Sequence, residues 1–463
     1  MLRRFVPGLV LALAASVGAA SPPAGDGVWL VAGGLVMTMD EAGTVIPAGA
    51  VAIRGSRIEA VGAEADLAAR FPGASRLDAT GRIVMPGLVN GHTHVPMTLF
   101  RGFADDLSVT DFLYQRIFPV EARFVDEEFV RWGTRLACLE LLRGGVTTFV
   151  DMYYWEDAVA EEAARCGMRA VVGQTLLDFP APDYKTWDAA VAATEKLLAR
   201  WRGHPLITAA VAPHATYTVS PDHLKAAHAL AAKHDAPVLI HLAEVRTEIE
   251  QIRQQHGIGP VELLAKLGIL DDRITAAHVI LPTPAEIALL AARGVGVVHC
   301  PQSNMKVAAG VAPVPALLAA GVAVGLGTDG SASNNDLSLW EEIDTAAKLH
   351  KVTTGDPTVL DARTALAMAT RLGARAVGLE AEIGTLAPGK RADLILVRTD
   401  GVHQIPSYDP HSLLVYATKA GDVDTVVIDG RIVVAAGRVL TVDESAVRSR
   451  AADYQRRIAA STR

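Results

Sequence analysis

Eight short apolar runs fill the middle of this chain of 463 residues and limit what it can fold into. They read "IVMPGLVNGHTHV", "GVTTFVDM", "RAVVGQTLLD", "ITAAVAPHA", "PVLIHLAE", "ITAAHVI", "GVGVVHCP" and "AVGLGTDG". Near-continuous apolar runs, without strict polar alternation, belong to strands buried on both faces. Helix-length segments such as "DEEFVRWGTRLACLELLRGG" and "SPDHLKAAHALAAKHD" separate most of them. Strands alternating with helices build a parallel sheet, because parallel neighbours need a long crossover. Eight such units over about 300 residues fit a closed (β/α)8, TIM-like barrel. The rival is an open doubly wound sheet, but no G-x-G-x-x-G follows a strand to support a dinucleotide fold.

The flanks have another texture. "VWLVAGGLVMTM", "AVAIRGSRIEAVG" and "ATGRIVMPG" near the start, and "RADLILVRTDG" and "VDTVVIDGRIVVAAGRVL" near the end, are β-rich pieces cut by Gly and Asp. They predict a small β-sandwich domain formed from both termini, residues 26–83 and 385–442, around a barrel over 84–384. The segment "ESAVRSRAADYQRRIAAS" predicts an exposed amphipathic helix within 443–463. Residues 1–20 carry Arg3 and Arg4, an apolar stretch and small residues ending at Ala20. That is the layout of a cleaved export signal, too short for a membrane span, so a periplasmic protein with no membrane contact after cleavage is expected. Net charge is −8 with no basic cluster past the first residues, which argues against nucleic acid as a partner. Cys138, Cys166 and Cys300 form neither a C-x-x-C knuckle nor an obvious disulfide framework.

Polar residues gather where those strands end. His92 and His94 close the first, His214 the fourth, His241 the fifth, His278 the sixth and Asp329 the eighth. In such a barrel the C-terminal strand ends converge on one face. Any one of these could be an ordinary hydrogen-bonded residue; six together form a site. Three neutral imidazoles and a carboxylate with an open position suit one divalent metal ion, zinc first, with iron or manganese also accepted. His92, His94, His241 and Asp329 supply that set, and such a cation makes a bound water acidic near neutral pH. His278 then aims that water. No lysine closes the fourth strand, so a second metal bridged by a modified lysine has no ligand there. Glu244 in "HLAE" stands past the fifth strand, where it can carry a proton between water and a ring nitrogen.

These stretches resemble the amidohydrolase superfamily, and within it the 5-methylthioadenosine/S-adenosylhomocysteine deaminases. The resemblance runs from about Val28 to Gly437, through "PGLVNGHTHVPMTLFRG", "PHATYTVSP", "HLAE", "HCPQSNMKVAAGVAPV", "GTDGSASNNDLSLWEEI" and "GTLAPGKRADLILV". It implies a mononuclear metal on His92, His94, His241 and Asp329, with Glu244 as proton shuttle and His278 and Asp329 handling the water proton. It further implies that Glu121, in "FPVEARF", binds ribose hydroxyls and that His214 contacts the purine. The implied reaction is hydrolytic deamination of a small-molecule 6-aminopurine nucleoside, and the implied assembly is a homo-oligomer of unspecified size. Thr216 and Val219 stand where the family usually has Pro and Cys. Gln174 stands where an arginine often holds the amino-acid carboxylate of S-adenosylhomocysteine. A neutral amide lacks the charged fork of a guanidinium, so the resemblance favours adenosine, 5′-deoxyadenosine or 5′-methylthioadenosine.

Two alternatives stay open on sequence. One is an aminohydrolase or chlorohydrolase of a free heterocycle such as guanine, a pterin or an s-triazine, for which a ribose-binding Glu121 has no use. The other is a relative that kept the barrel and lost the chemistry, against which the intact donor set argues.

Overall fold

The structure is a computed structural model that describes residues 27–461; the segment read as an export signal lies outside the described residues. Eight parallel strands run Leu88–Thr93, Val146–Tyr153, Arg169–Leu176, Ile207–Pro213, Val238–Leu242, Ile274–His278, Gly296–His299 and Val324–Leu326. They are hydrogen-bonded to one another in chain order, each within one of the eight runs read from sequence, save that the second strand ends one residue past its run. In seven of them every residue is buried, Thr208 in the fourth being the exception, which is why they show no alternation. The eighth strand meets the first without a regular ladder. Thr328 N–H donates to Asn90 Oδ1 at 3.0 Å, Asn90 Nδ2 donates to Thr328 Oγ1 at 2.8 Å, and Asp329 N–H donates to the His92 carbonyl at 3.0 Å. These bonds close the barrel between the two ends that carry the metal-binding candidates.

The run "IVMPGLVNGHTHV" is two strands. Arg82–Pro86 belongs to the terminal sheet and Leu88–Thr93 to the barrel. Gly87 is the joint, where a Cβ would sit 2.1 Å from the Thr147 side chain.

The terminal domain is one nine-stranded sheet in which Leu394–Arg398 pairs antiparallel with Arg82–Pro86, knitting the two ends of the chain together. It curls back on itself: Arg57 bridges Arg391, and Ile58 N–H donates to the Lys390 carbonyl at 2.8 Å. Trp29, Val51, Ile53, Val84, Leu394 and Val427 fill its interior, giving the sandwich-like core expected from sequence. Arg169, at the start of the third barrel strand, donates to Asp393 at 2.7 Å and so ties the base of the barrel to this domain, away from the site. The helix Glu444–Ser461 matches the predicted C-terminal helix, but it is not simply exposed. Val447, Tyr454 and Ile458 are buried, and the Tyr454 ring packs edge-on against Phe129, 5.3 Å between centroids.

Candidate active site

His92 and His94 point to one side of the first strand, as strand alternation requires, while Thr93 between them donates to Asp151 Oδ1 on the other side at 2.7 Å. His94 Nδ1 lies 2.6 Å from the Met152 carbonyl and His241 Nδ1 lies 2.8 Å from the His214 carbonyl. A carbonyl can only accept, so whenever these rings are neutral Nδ1 carries the proton and Nε2 is a lone pair. Those two Nε2 atoms face each other at 3.4 Å. Asp329 Oδ1 stands 3.3 Å from His94 Nε2 and 3.6 Å from His92 Nε2, and the buried His92 Nε2 has no hydrogen-bond partner. Lone pairs and a carboxylate aimed at one point, in a buried place, call for a cation between them.

The electrostatics say the same. Burial holds His92 down at about 4 and His241 well below the ordinary imidazole value. Burial also opposes a charge on His94, yet the hydrogen bond and charge of Asp329 raise it to about 9. Burial works against the Asp329 carboxylate too, but His92 and His94 hold it well below the usual range. The set therefore takes up positive charge at neutral pH. His92, His94, His241 and Asp329 fit a divalent cation.

The proton-handling candidates stand beside this set. His278 Nε2 lies 3.9 Å from Glu244 Oε1, and its ring centroid is 5.3 Å from that of His92. Burial pushes the Glu244 carboxyl up, against the pull of His278. A raised carboxyl is suited to deliver a proton near neutral pH. Its backbone is pinned, since Glu244 N–H donates to Glu248 Oε2 at 2.9 Å. The other oxygen of Glu248 accepts from Thr216 Oγ1 at 2.7 Å.

Two adjoining cavities stand beside these groups. The inner one, about 80 Å³, is lined by His94, His214, His241, Glu244 and Asp329. The outer one, about 980 Å³, is walled by Tyr114, Phe179, Lys185 and Thr216. Phe118, Glu121, Tyr154 and Tyr217 line both and stand between them. Small-molecule sites run from about 300 to 1,000 Å³, so a nucleoside-sized ligand that reaches the histidines would outgrow the inner cavity and extend past Glu121 into the outer one. Glu121 accepts from Tyr153 Oη at 2.6 Å and from Tyr154 Oη at 3.4 Å, and burial raises it to about 7. His214 lies in the inner cavity with Nδ1 3.0 Å from Thr218 Oγ1, and burial among the other imidazoles lowers it to about 3. Its ring is neutral and can hydrogen-bond a base without bringing charge.

Gln174 is placed otherwise. Its Nε2 donates to Asp183 Oδ2 at 2.8 Å, and its Oε1 accepts from Glu156 N–H at 3.4 Å. Among the described residues it lines neither cavity, and the next residue, Thr175, faces the inner one. The cation present in the outer wall is instead Lys185.

The model of the amidohydrolase family matches residues 83–433. The chain belongs to the amidohydrolase family. A 5-methylthioadenosine/S-adenosylhomocysteine deaminase from Syntrophobacter fumaroxidans is 49% identical, the match covering 91% of this chain and 96% of that protein. A 5-methylthioadenosine/S-adenosylhomocysteine deaminase 1 from Syntrophus aciditrophicus is 45% identical over 90% and 94% of the two chains. A crystal structure of an adenosine deaminase from Xanthomonas campestris with bound zinc superposes with a TM-score of 0.92 at 40% identity, covering 93% of this chain and 98% of that one. An atrazine chlorohydrolase from Arthrobacter aurescens complexed with zinc gives 0.86 at 26% identity, over 92% and 99%.

Within this amidohydrolase, the sequence marked Thr216 only as a departure near the base, and gave no sign of its partner Glu248, or of Ser303 and Ser333, both of which hydrogen-bond to Asp329 Oδ2. Spacing carried no signal for them, because each acts across a gap of 26 or more residues or from a loop.

Proposed function

We propose that this chain is a metal-dependent hydrolytic deaminase of 6-aminopurine nucleosides, releasing ammonia and the corresponding inosine-type product. The observation that carries the reading is Glu121, a buried carboxyl set between a metal-binding chamber and a wide outer cavity. With the base in the inner cavity, Glu121 meets the ribose and the 5′ end enters the outer cavity. The names of the relatives support this order of groups, since 5-methylthioadenosine and S-adenosylhomocysteine share the base and ribose and differ beyond the 5′ carbon.

His92, His94, His241 and Asp329 would hold a divalent metal ion, zinc in preference to iron or manganese, which would supply an acidified water and a polarising charge. The residues do the rest. His214 meets the purine as a neutral ring. Glu244 gives its proton to the ring nitrogen beside the amino-bearing carbon as water adds there. Asp329 and His278 accept and hold one proton of the water, which leaves on ammonia, and the second water proton returns to Glu244 as the new carbonyl forms. Oxygen enters, nitrogen departs, and the sugar stays attached.

Lys185 extends the reading to anionic 5′ substituents. Its Nζ donates to the carbonyls of Ala181 at 2.6 Å and Pro182 at 3.1 Å, and an ammonium carries a third N–H for a carboxylate in the outer cavity. The neutral Gln174 then no longer argues against S-adenosylhomocysteine. A free heterocycle would leave Glu121 without work. Export to the periplasm and assembly into a homo-oligomer belong to the same proposal; fractionation of cells and light scattering test them.

The deciding experiment is ammonia release by the zinc-loaded protein. The panel is adenosine, 5′-deoxyadenosine, 5′-methylthioadenosine, S-adenosylhomocysteine, adenine, guanine and a pterin. Turnover of nucleosides, absent in His92→Ala, is expected. Turnover of free bases alone would remove the ribose from the account.

A further inference from the structure

The seventh barrel strand, Gly296–His299, gives no side chain to the donor set or the proton-handling groups described above, yet the short helix after it, Pro301–Lys306, touches two of them. Ser303 Oγ donates to Asp329 Oδ2 at 2.6 Å. Ser333 Oγ donates to the same oxygen at 3.0 Å, and the two hydroxyls are 2.9 Å apart. The two serines thereby hold Oδ2, while Oδ1, which also accepts from Gly330 N–H at 2.7 Å, faces His92 and His94. One residue along, Asn304 Oδ1 lies 2.9 Å from His278 Nδ1. An amide oxygen only accepts, so the proton of His278 sits on Nδ1 and its Nε2 presents a lone pair towards Glu244.

Both recipients need holding. Asp329 has φ +60° and His278 φ +73°, left-handed backbone that side chains other than glycine seldom adopt. Such conformations persist where the surroundings over-determine them. Ser303 and Asn304 are 2% and 1% exposed, so neither tether competes with water. Their helix is itself fixed: Gln302 N–H donates to Glu342 Oε2 at 3.2 Å, and Gln302 Nε2 donates to Thr345 Oγ1 at 3.1 Å.

We propose that Ser303 and Asn304 are positioning residues: Ser303 selects the Asp329 oxygen that faces the histidines, and Asn304 fixes the tautomer of His278. One short helix thus sets both groups that handle the water proton. The inference rests on the proposed deaminase only for its kinetic arm.

The test uses the full zinc-loaded chain with Ser303→Ala, Ser303→Thr, Asn304→Leu and Asn304→Asp. Two readouts need no turnover: the zinc X-ray absorption spectrum, and 15N NMR of histidine-labelled protein. Ser303→Ala is expected to keep its zinc and to change the oxygen shell around it as Asp329, left with Ser333 alone on Oδ2, reorients, while Ser303→Thr keeps the original spectrum. Asn304→Leu is expected to lose the Nδ1–H tautomer of His278, and Asn304→Asp, which still offers an acceptor, to keep it. For Ser303→Ala and Asn304→Leu, kcat on the best nucleoside falls about 10- to 100-fold with KM changed less than about twofold. An unchanged spectrum in Ser303→Ala, an unchanged tautomer in Asn304→Leu, or Ser303→Thr as impaired as Ser303→Ala overturns the proposal. If an alanine or leucine variant fails to fold, the Thr and Asp variants decide, because loss of the spectrum or tautomer in them also overturns it. A wild-type chain that releases no ammonia would sink the deaminase reading and leave both spectroscopic outcomes standing.

Discussion

Replacing Glu121 by glutamine should stabilise the protein increasingly as pH rises. In the folded chain burial lifts this carboxyl from 4.5 to about 7, although the hydroxyls of Tyr153 and Tyr154 pull the other way. A raised folded value means that the folded state binds the proton more tightly than the unfolded chain does. The contribution to stability is complete below pH 4.5 and is lost as pH rises through about 7. Worked through the linkage relation, the loss is about 1 kcal/mol at pH 5 and about 3 kcal/mol at pH 8. Glutamine does not ionise, so it escapes the loss. It keeps an acceptor for Tyr153, and the difference in that bond is a constant offset. Urea unfolding of wild type and Glu121→Gln at pH 5, 6, 7 and 8 should therefore give a stability difference that moves by about 2 kcal/mol in favour of glutamine. The same variant should lose about 10- to 100-fold in kcat/KM on nucleosides, the worth of a charge-assisted hydrogen bond to ribose. A stability difference that stays flat from pH 5 to 8 would refute the buried-carboxyl argument. Undiminished nucleoside turnover would refute the ribose role.

Three further outcomes follow from the geometry. His92→Ala should bind well under one metal per chain by elemental analysis, and zinc should restore chelated wild type but not the variant; a variant that keeps its metal contradicts the donor set. Glu244→Gln should retain metal while kcat drops about 10²- to 10⁴-fold, the usual loss of a general acid, and an effect on KM alone would remove its proton role. Lys185→Ala should raise KM for S-adenosylhomocysteine by about tenfold, an exposed charge-assisted contact, and leave 5′-methylthioadenosine unchanged. Equal effects on both substrates would take Lys185 out of carboxylate recognition.

The barrel was legible because full burial on both faces leaves a plain mark, an apolar run with polar residues only at its end. His92, His94, His241, His278 and Asp329 could be read for that reason: the fold gathers strand ends, so position along a strand is position in the site. Legibility failed where direction is set by neighbours rather than by period. Gln174 sits at a strand end like the histidines, but Asp183 holds its amide away from the cavities. Lys185 enters the outer wall because its loop folds over, bound to its own carbonyls, and no spacing announces that. The joint at Gly87 was hidden because both adjoining strands are apolar and buried, so one run served two sheets. The C-terminal helix showed its polar face in sequence, whereas the partner for Tyr454 is Phe129, far away along the chain. Glu121 needed the family resemblance, since its surroundings come from Tyr153 and Tyr154 on another element.

The most direct test of hydrolytic deamination at this site is the fate of oxygen from water. The zinc-loaded protein would be incubated with 5′-methylthioadenosine in 18O-water and the products resolved by mass spectrometry. The account predicts one heavy oxygen on the purine, ammonia in equal amount, and the sugar still attached. Free adenine with the heavy oxygen on the sugar, or no product where zinc is bound in full, would contradict it.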